Sequence, residues 1–156
     1  MSHEVGMYIH SVMERAACEA QEAGSATIEA EHLLLAIAAE HESTTQRLLS
    51  EAGLEYPAIS DALEQEFKHS LSTAGVTVGE LPRPSRSPKR PSRIGATGKL
   101  VLERGMATVA SKKDLRPAHL LLGVLQLNVG TVPRALALAG VDQADLAERV
   151  RQAVSR

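Results

Sequence analysis

The sequence predicts an all-α fold built from two copies of one four-helix unit, related by a pseudo-twofold and packed as a single domain. The first observation is a repeated phrase. Glu31-His32-Leu33-Leu34-Leu35-Ala36-Ile37 recurs as Ala118-His119-Leu120-Leu121-Leu122-Gly123-Val124, 87 residues later. The second is that this register continues without a gap. It pairs Thr44 with Thr131, Arg47 with Arg134, and Ala52-Gly53-Leu54-Glu55 with Ala139-Gly140-Val141-Asp142. Such self-similarity marks a duplicated structural unit. The third is composition: apolar residues make up 44% of the 156, but aromatics only 2%, with no Trp. A core of Leu, Ala, Val, Ile and Met favours close helix packing over a β-sandwich.

The first repeat spans about residues 5–70. Ile9, Val12, Met13, Ala16, Ala17 and Ala20 recur at three- and four-residue spacing and predict a helix over about 7–23. Gly24-Ser25 ends it. The second helix runs over about 29–40, with Leu33, Leu34, Ile37 and Ala38 inward. Ser43 or Thr44 suits the cap of a short third helix, and Gly53 stops it in a left-handed position. Pro57 fits the first turn of a fourth, whose apolar edge is Ile59, Leu63 and Phe67.

The second repeat, about 95–156, follows the same plan. Leu100, Val101, Met106, Ala107 and Val109 belong to its first helix. Pro117 opens the second. Thr131 precedes the third, which Gly140 ends. Asp142 caps the last helix, which carries Leu146, Val150 and Val154. Between the repeats, at about 79–94, lies a linker. Its Leu81-to-Arg93 stretch holds four prolines and five basic residues and predicts an extended, solvated spacer. The same stretch is alternatively a basic arm for an acidic partner.

Charge and chemistry narrow the function. A formal net charge of −2 gives no global case for nucleic acid. No apolar run approaches the roughly 18 residues of a spanning helix, and Met1-Ser2-His3-Glu4-Val5 lacks the basic start and apolar stretch of a signal peptide. The lone Cys18 forms no internal disulfide. A cytoplasmic protein is the expectation. There is no phosphate-cradling loop, no His-Glu-x-x-His and no Cys-x-x-Cys, so neither an ATPase core, nor a metal, nor a cofactor is expected. His32 and His119 repeat at the start of equivalent helices. Their expected role is structural, each imidazole bridging a helix start to the neighbouring loop.

The pattern Ala16-x-x-x-Ala20, then Ile28-Glu29-Ala30-Glu31-His32-Leu33-Leu34-Leu35, then Leu48-Leu49-x-x-x-Gly53-Leu54, resembles the amino-terminal domain of the Clp-family AAA+ unfoldases. Leu115-Arg116-Pro117-Ala118-His119-Leu120-Leu121-Leu122 and Ala135-Leu136-x-x-x-Gly140-Val141 form its second copy. The resemblance implies a mobile recognition module that receives substrates and adaptors, here free-standing without ATPase modules. It implies binding near the starts of the first helices and the Glu-His segments. Those places hold Gly6, His10, Met13 and Glu31 in one repeat, and Arg93, Lys99 and Ala118 in the other.

In the ClpC branch some members bind phosphoarginine through a Glu and an early Thr in each repeat. Here Glu31 keeps the first acid, whereas Ala118 replaces the second, and Gly6 and Arg93 replace the hydroxyls. The two half-sites should therefore differ. The implied function is a non-enzymatic protein-binding module, an accessory recruiter or a decoy for Clp proteolysis. Its partners would be a Clp unfoldase, an adaptor, a substrate degron or a domain-targeting antibiotic. The alternative is a small ligand-binding or hydrolytic protein on the same frame, which a deep pocket holding His and carboxylate would mark.

Overall fold

The computed structural model describes residues 2–75 and 85–155, and among them eight α-helices and no strand. They are α1 (His3–Glu22), α2 (Ala30–Ala39), α3 (Ser43–Glu51), α4 (Tyr56–Thr73), α5 (Ala96–Ala107), α6 (Pro117–Leu125), α7 (Thr131–Leu138) and α8 (Gln143–Val154), with a short 3-10 turn at Lys112–Asp114. Advancing α2 and α4 by 87 residues lands their first residues on those of α6 and α8.

The helices α2 and α6 sit at the centre. Leu33, Ala36, Ile37, Leu121 and Val124 have no exposed surface. These two helices are apolar nearly all round because each is covered on several sides. In this arrangement α1 packs on α2, α5 on α6, α4 on α7, and α8 on α6. The buried residues of both repeats, from Val12 to Val150, form one contiguous apolar cluster.

Helix ends follow from single residues. The Val5 amide donates to Ser2 Oγ, so α1 starts at His3, earlier than the apolar spacing alone implies. The Glu42 carboxylate caps α3 by accepting from Thr45 N–H at 2.7 Å, in place of Ser43 or Thr44. Asp142 Oδ1 accepts from Asp145 N–H and caps α8. Gly53 and Gly140 have φ of 73° and 76°. At each, the following residue donates back to a helix carbonyl, Leu54 to Leu49 at 2.8 Å and Val141 to Leu136 at 3.0 Å. That closure needs a left-handed residue, which glycine supplies without a Cβ clash.

The helix α5 ends at Ala107, short of the Val109 that the sequence assigned to it, and it buries its small residues. Gly98, Val101 and Gly105 are buried, while Leu100 and Met106 are 38% and 39% exposed. Backbone proximity explains this. A Cβ on Gly123 would press into the Val101 carbonyl, and one on Gly98 into the Ile28 carbonyl. The helix turns its glycines inward to let backbones meet, and its larger side chains turn out.

Of the linker expected at about 79–94, residues 76–84 lie outside the described part. Residues 85–94 are extended but not a loose spacer. Ser87 N–H donates to Gln21 O at 2.9 Å, and Gln21 Nε2 donates to Ser87 O at 3.1 Å. Arg86 Nε lies 2.6 Å from Glu22 Oε1. Farther on, Ile28 N–H donates to Arg93 O, Gly95 N–H donates to Ile28 O, and Ile28 and Ile94 form a parallel bridge. The segment is a strap laid on the first repeat.

Candidate functional site

A capping device recurs at the two repeated histidines. The Glu29 N–H donates to His32 Nδ1 at 2.9 Å, and the Arg116 N–H donates to His119 Nδ1 at 2.8 Å. Each imidazole occupies the third helical position and satisfies a backbone donor just outside the helix. Burial holds both imidazoles below the ordinary range, so both stay neutral at neutral pH. A neutral Nδ1 acceptor is what the cap requires.

Capping places the acids. The start of α2 presents Glu29 and Glu31 on either side of the capped turn. They line a cavity of about 450 Å³ together with Glu22, Glu64, Glu66 and Thr131. Leu35, Leu63 and Phe67 supply its apolar wall. The five glutamates come from α1, the loop before α2, α2 itself and α4.

Their environments set them apart. Burial pushes the Glu31 carboxyl up, and the negative charges of Glu29 and Glu66 push it further. Burial also pushes on Glu29, but hydrogen bonds from Thr27 and Thr97 outweigh it and hold that carboxyl below its usual range. Glu66, 5% exposed, accepts from Ser70 Oγ at 2.6 Å and from Arg134 Nε at 2.9 Å. Glu31 is thus the strained acid of the group, and Glu29 and Glu66 are anchored ones.

The equivalent place in the second repeat has the opposite character. Adding 87 to Glu22, Glu29, Glu31, Glu64 and Glu66 gives Val109, Arg116, Ala118, Arg151 and Ala153. Not one acid recurs, and two positions reverse sign. A cavity of about 480 Å³ lies there, with His119, Leu122 and Val154 where the first has His32, Leu35 and Phe67. Arg151 and Asp114 also line it.

The residues proposed from the sequence are scattered. Glu31 lines the acidic cavity. Gly6 lies in the first turn of α1, and exposed His10 pairs with Glu14 at 3.2 Å. Met13 packs against the core. Arg93, in the strap, and Lys99, on α5, are exposed. Ala118 is only 2% exposed, so it offers no contact surface. Sequence reasoning missed Glu22, Glu29, Glu64, Glu66 and Phe67.

His32 beside carboxylates is the arrangement a hydrolytic reading asks for. Its Nδ1 is engaged by the Glu29 amide, and among the described residues no hydrogen bond joins the ring to a serine hydroxyl or a carboxylate. Around His32, the described residues do not form a nucleophile–base–orienter chain. Among the described residues there is no cluster of three or more His, Cys, Asp or Glu suited to a metal, and no helix long and apolar enough to cross a membrane.

A third cavity of about 270 Å³ lies between α1, α5 and α6. It is lined by Ile9, Leu102, Met106, Leu115 and Leu120, with Arg116 at its edge.

No curated protein matches the chain by sequence. Its fold is similar to the crystal structure of the N-terminal domain of the caseinolytic protease associated chaperone ClpD from Arabidopsis thaliana. The match has a TM-score of 0.66 at 18% identity, over 100% of this chain and 98% of that one. Residues 8–90, which hold the first repeat and most of the strap, match the Clp repeat (R) N-terminal domain family. With the helical architecture shared over its full length, the chain belongs to that family, whose domains are protein-interaction modules of Clp unfoldases.

Proposed function

We propose that the chain is a cytoplasmic, non-catalytic protein-binding module whose dominant contact is the acidic cavity of the first repeat. In this reading it serves Clp proteolysis as an accessory recruiter, or as a decoy for the unfoldase's own domain. The observation that carries the reading is the charge asymmetry. Five glutamates surround one cavity, and none recurs at the equivalent positions of the other repeat. Structure alone does not require this, because the second repeat folds around its own cavity without them.

Glu31 supports the reading further. Its half-buried carboxylate faces Glu29 and Glu66, an unfavourable arrangement in the free protein. A perturbed carboxyl lining a cleft is a candidate functional group. A lysine or arginine side chain entering the cavity would neutralise the acids and lay its aliphatic stem on Leu35, Leu63 and Phe67. The apolar cavity at Leu102 and Met106 suits a second, hydrophobic anchor of the same partner.

The test is calorimetric titration of the full chain with two peptides of equal length, one carrying Lys and Arg, the other Glu. The reading expects the basic peptide to bind and the acidic one not to. Equal binding of both would overturn it.

A further inference from the structure

We propose that the cavity of the second repeat is a carboxylate-binding site, which holds the carboxylate of a terminal apolar residue with the Nε2–H of His119 and the guanidinium of Arg151. The buried imidazole fixes the polarity of the site. His119 Nδ1 accepts the Arg116 amide, so the ring proton of the neutral imidazole sits on Nε2. His119 is 4% exposed and lines the cavity, and among the described residues no group accepts a hydrogen bond from its Nε2. A buried donor without a protein acceptor takes one from outside, from water or from a ligand. The cavity of about 480 Å³ has room for a ligand the size of an amino-acid residue.

Arg151 decides the charge of that acceptor. It lies in the last turn of α8 and lines the same cavity. Its Nη1 meets Glu148 Oε2 at 3.1 Å, where both side chains are about half exposed (47% and 57%). Such a surface pair is weak, and it leaves the other guanidinium N–H groups without an acceptor among the described residues. At the position 87 residues earlier the first repeat has Glu64, which lines the cavity of His32. The two repeats therefore set the same imidazole donor in cavities of opposite charge, and only the second suits an anion. The two cavities share no lining residue, so this site does not depend on the acidic one.

The remaining lining narrows the anion. Val109, Leu122 and Val154 supply an aliphatic wall for an apolar side chain. Asp114 also lines the cavity, and among the described residues its carboxylate accepts no hydrogen bond. It repels a second negative group, yet it can accept the amide or ammonium N–H that a terminal residue carries next to its carboxylate. A planar carboxylate meets the guanidinium fork with two parallel bonds and keeps lone pairs for the imidazole N–H. A Lys or Arg side chain is turned away by Arg151. The ligand thus combines one carboxylate, one N–H and one aliphatic side chain. Two sources carry that chemistry, the end of a protein chain and a small free amino-acid derivative.

The experiment titrates the full chain with acetyl-leucine and, separately, with acetyl-leucinamide, which lacks only the charge. Proton–nitrogen NMR follows the His119 Nε2–H signal, or the Leu122 methyl signals where solvent exchange hides it. Acetyl-leucine should shift these signals to saturation, and the amide should bind weaker by about tenfold or more. Arg151→Ala should weaken acetyl-leucine by about tenfold or more, at an unchanged melting temperature because its ion pair is on the surface. Arg151→Glu should abolish binding. An acetylated tripeptide ending in leucine separates the sources. Tighter binding than acetyl-leucine assigns the site to protein chain ends, weaker binding assigns it to small free acids, and either result sustains the carboxylate site. Equal binding of acid and amide would overturn the proposal. So would signals that the acid does not move, or parent-like binding by folded Arg151→Ala.

Discussion

The Glu29 carboxylate, at the mouth of α2, accepts from both the backbone N–H of Thr97 (3.2 Å) and its hydroxyl (2.7 Å), from a residue 68 positions away. The Thr97 hydroxyl oxygen in turn accepts from Ala30 N–H at 2.9 Å. One carboxylate thus joins the start of α2 to the start of α5. The site of the carboxylate is also the space a Cβ on Gly95 would occupy. Gly95→Ala should displace Glu29 and cost about 1–3 kcal/mol, the usual penalty for stranding partly buried hydrogen-bonding groups. In a Glu29→Ala background the same change should cost far less, because nothing remains to displace. Chemical denaturation of the two single variants and the double variant checks this. Additive losses would contradict the assigned contact. Glu29 also sets an acid limit. Its folded carboxyl is held below the ordinary 4.5, so its contribution is complete above that pH and fades as pH falls below it.

The repeated histidines make a paired prediction. His32→Ala and His119→Ala should each destabilise by about 1–3 kcal/mol, from the lost cap and the vacated volume. His32→Gln should recover part of the loss, because a glutamine at that helical position also reaches back to the capped N–H. Burial lowers both imidazoles from the ordinary 6.5, so the unfolded chain binds the proton first. Stability should be full above 6.5 and decline as pH drops below it. Thermal melts from pH 8 to 5 test the sign, and both alanine variants should flatten that dependence.

Backbone contact between α5 and α6 predicts intolerance of a single methyl group. Gly123→Ala forces a Cβ against the Val101 carbonyl oxygen and the Gly105 backbone. Overpacking of this kind costs about 1–3 kcal/mol. A melting temperature equal to that of the parent would show that these helices separate easily.

We infer that residues 1–156 form one cooperative domain, on the strength of the single apolar cluster shared by both repeats. Leu34→Ala and Leu121→Ala, at fully buried equivalent positions, should each cost about 2–5 kcal/mol. Each should lower one common transition. Calorimetry that resolves two independent transitions, each answering to one variant, would contradict the inference.

Much of the fold was legible because it was written twice. The offset between His32 and His119 located α2 and α6, and Gly53 and Gly140 marked helix ends that the left-handed backbone confirms. What was not legible depends on residues far apart in sequence. Nothing local says that Thr97 completes Glu29, or that Arg134 anchors Glu66 across the two repeats. Apolar size alone argues for burying Leu100 and Met106 on α5, yet both are partly exposed. Close backbone approach instead selected Gly98 and Gly105. The site was legible only at Glu31, since its neighbours converge from helices whose mutual packing no periodicity reveals.

The most direct measurement is a titration of the basic peptide into the parent chain, Glu31→Gln and Arg151→Ala, with a thermal melt of each. Burial and neighbouring charge raise the Glu31 carboxyl, so its ionisation works against folding above the ordinary 4.5. Removing that charge should therefore leave the melting temperature unchanged or higher, while weakening the peptide by about tenfold or more, or at least 1.4 kcal/mol. Arg151→Ala should bind as the parent does, with one peptide per chain. Normal binding by Glu31→Gln, or two equal sites filled on the parent, would contradict a dominant site in the first repeat.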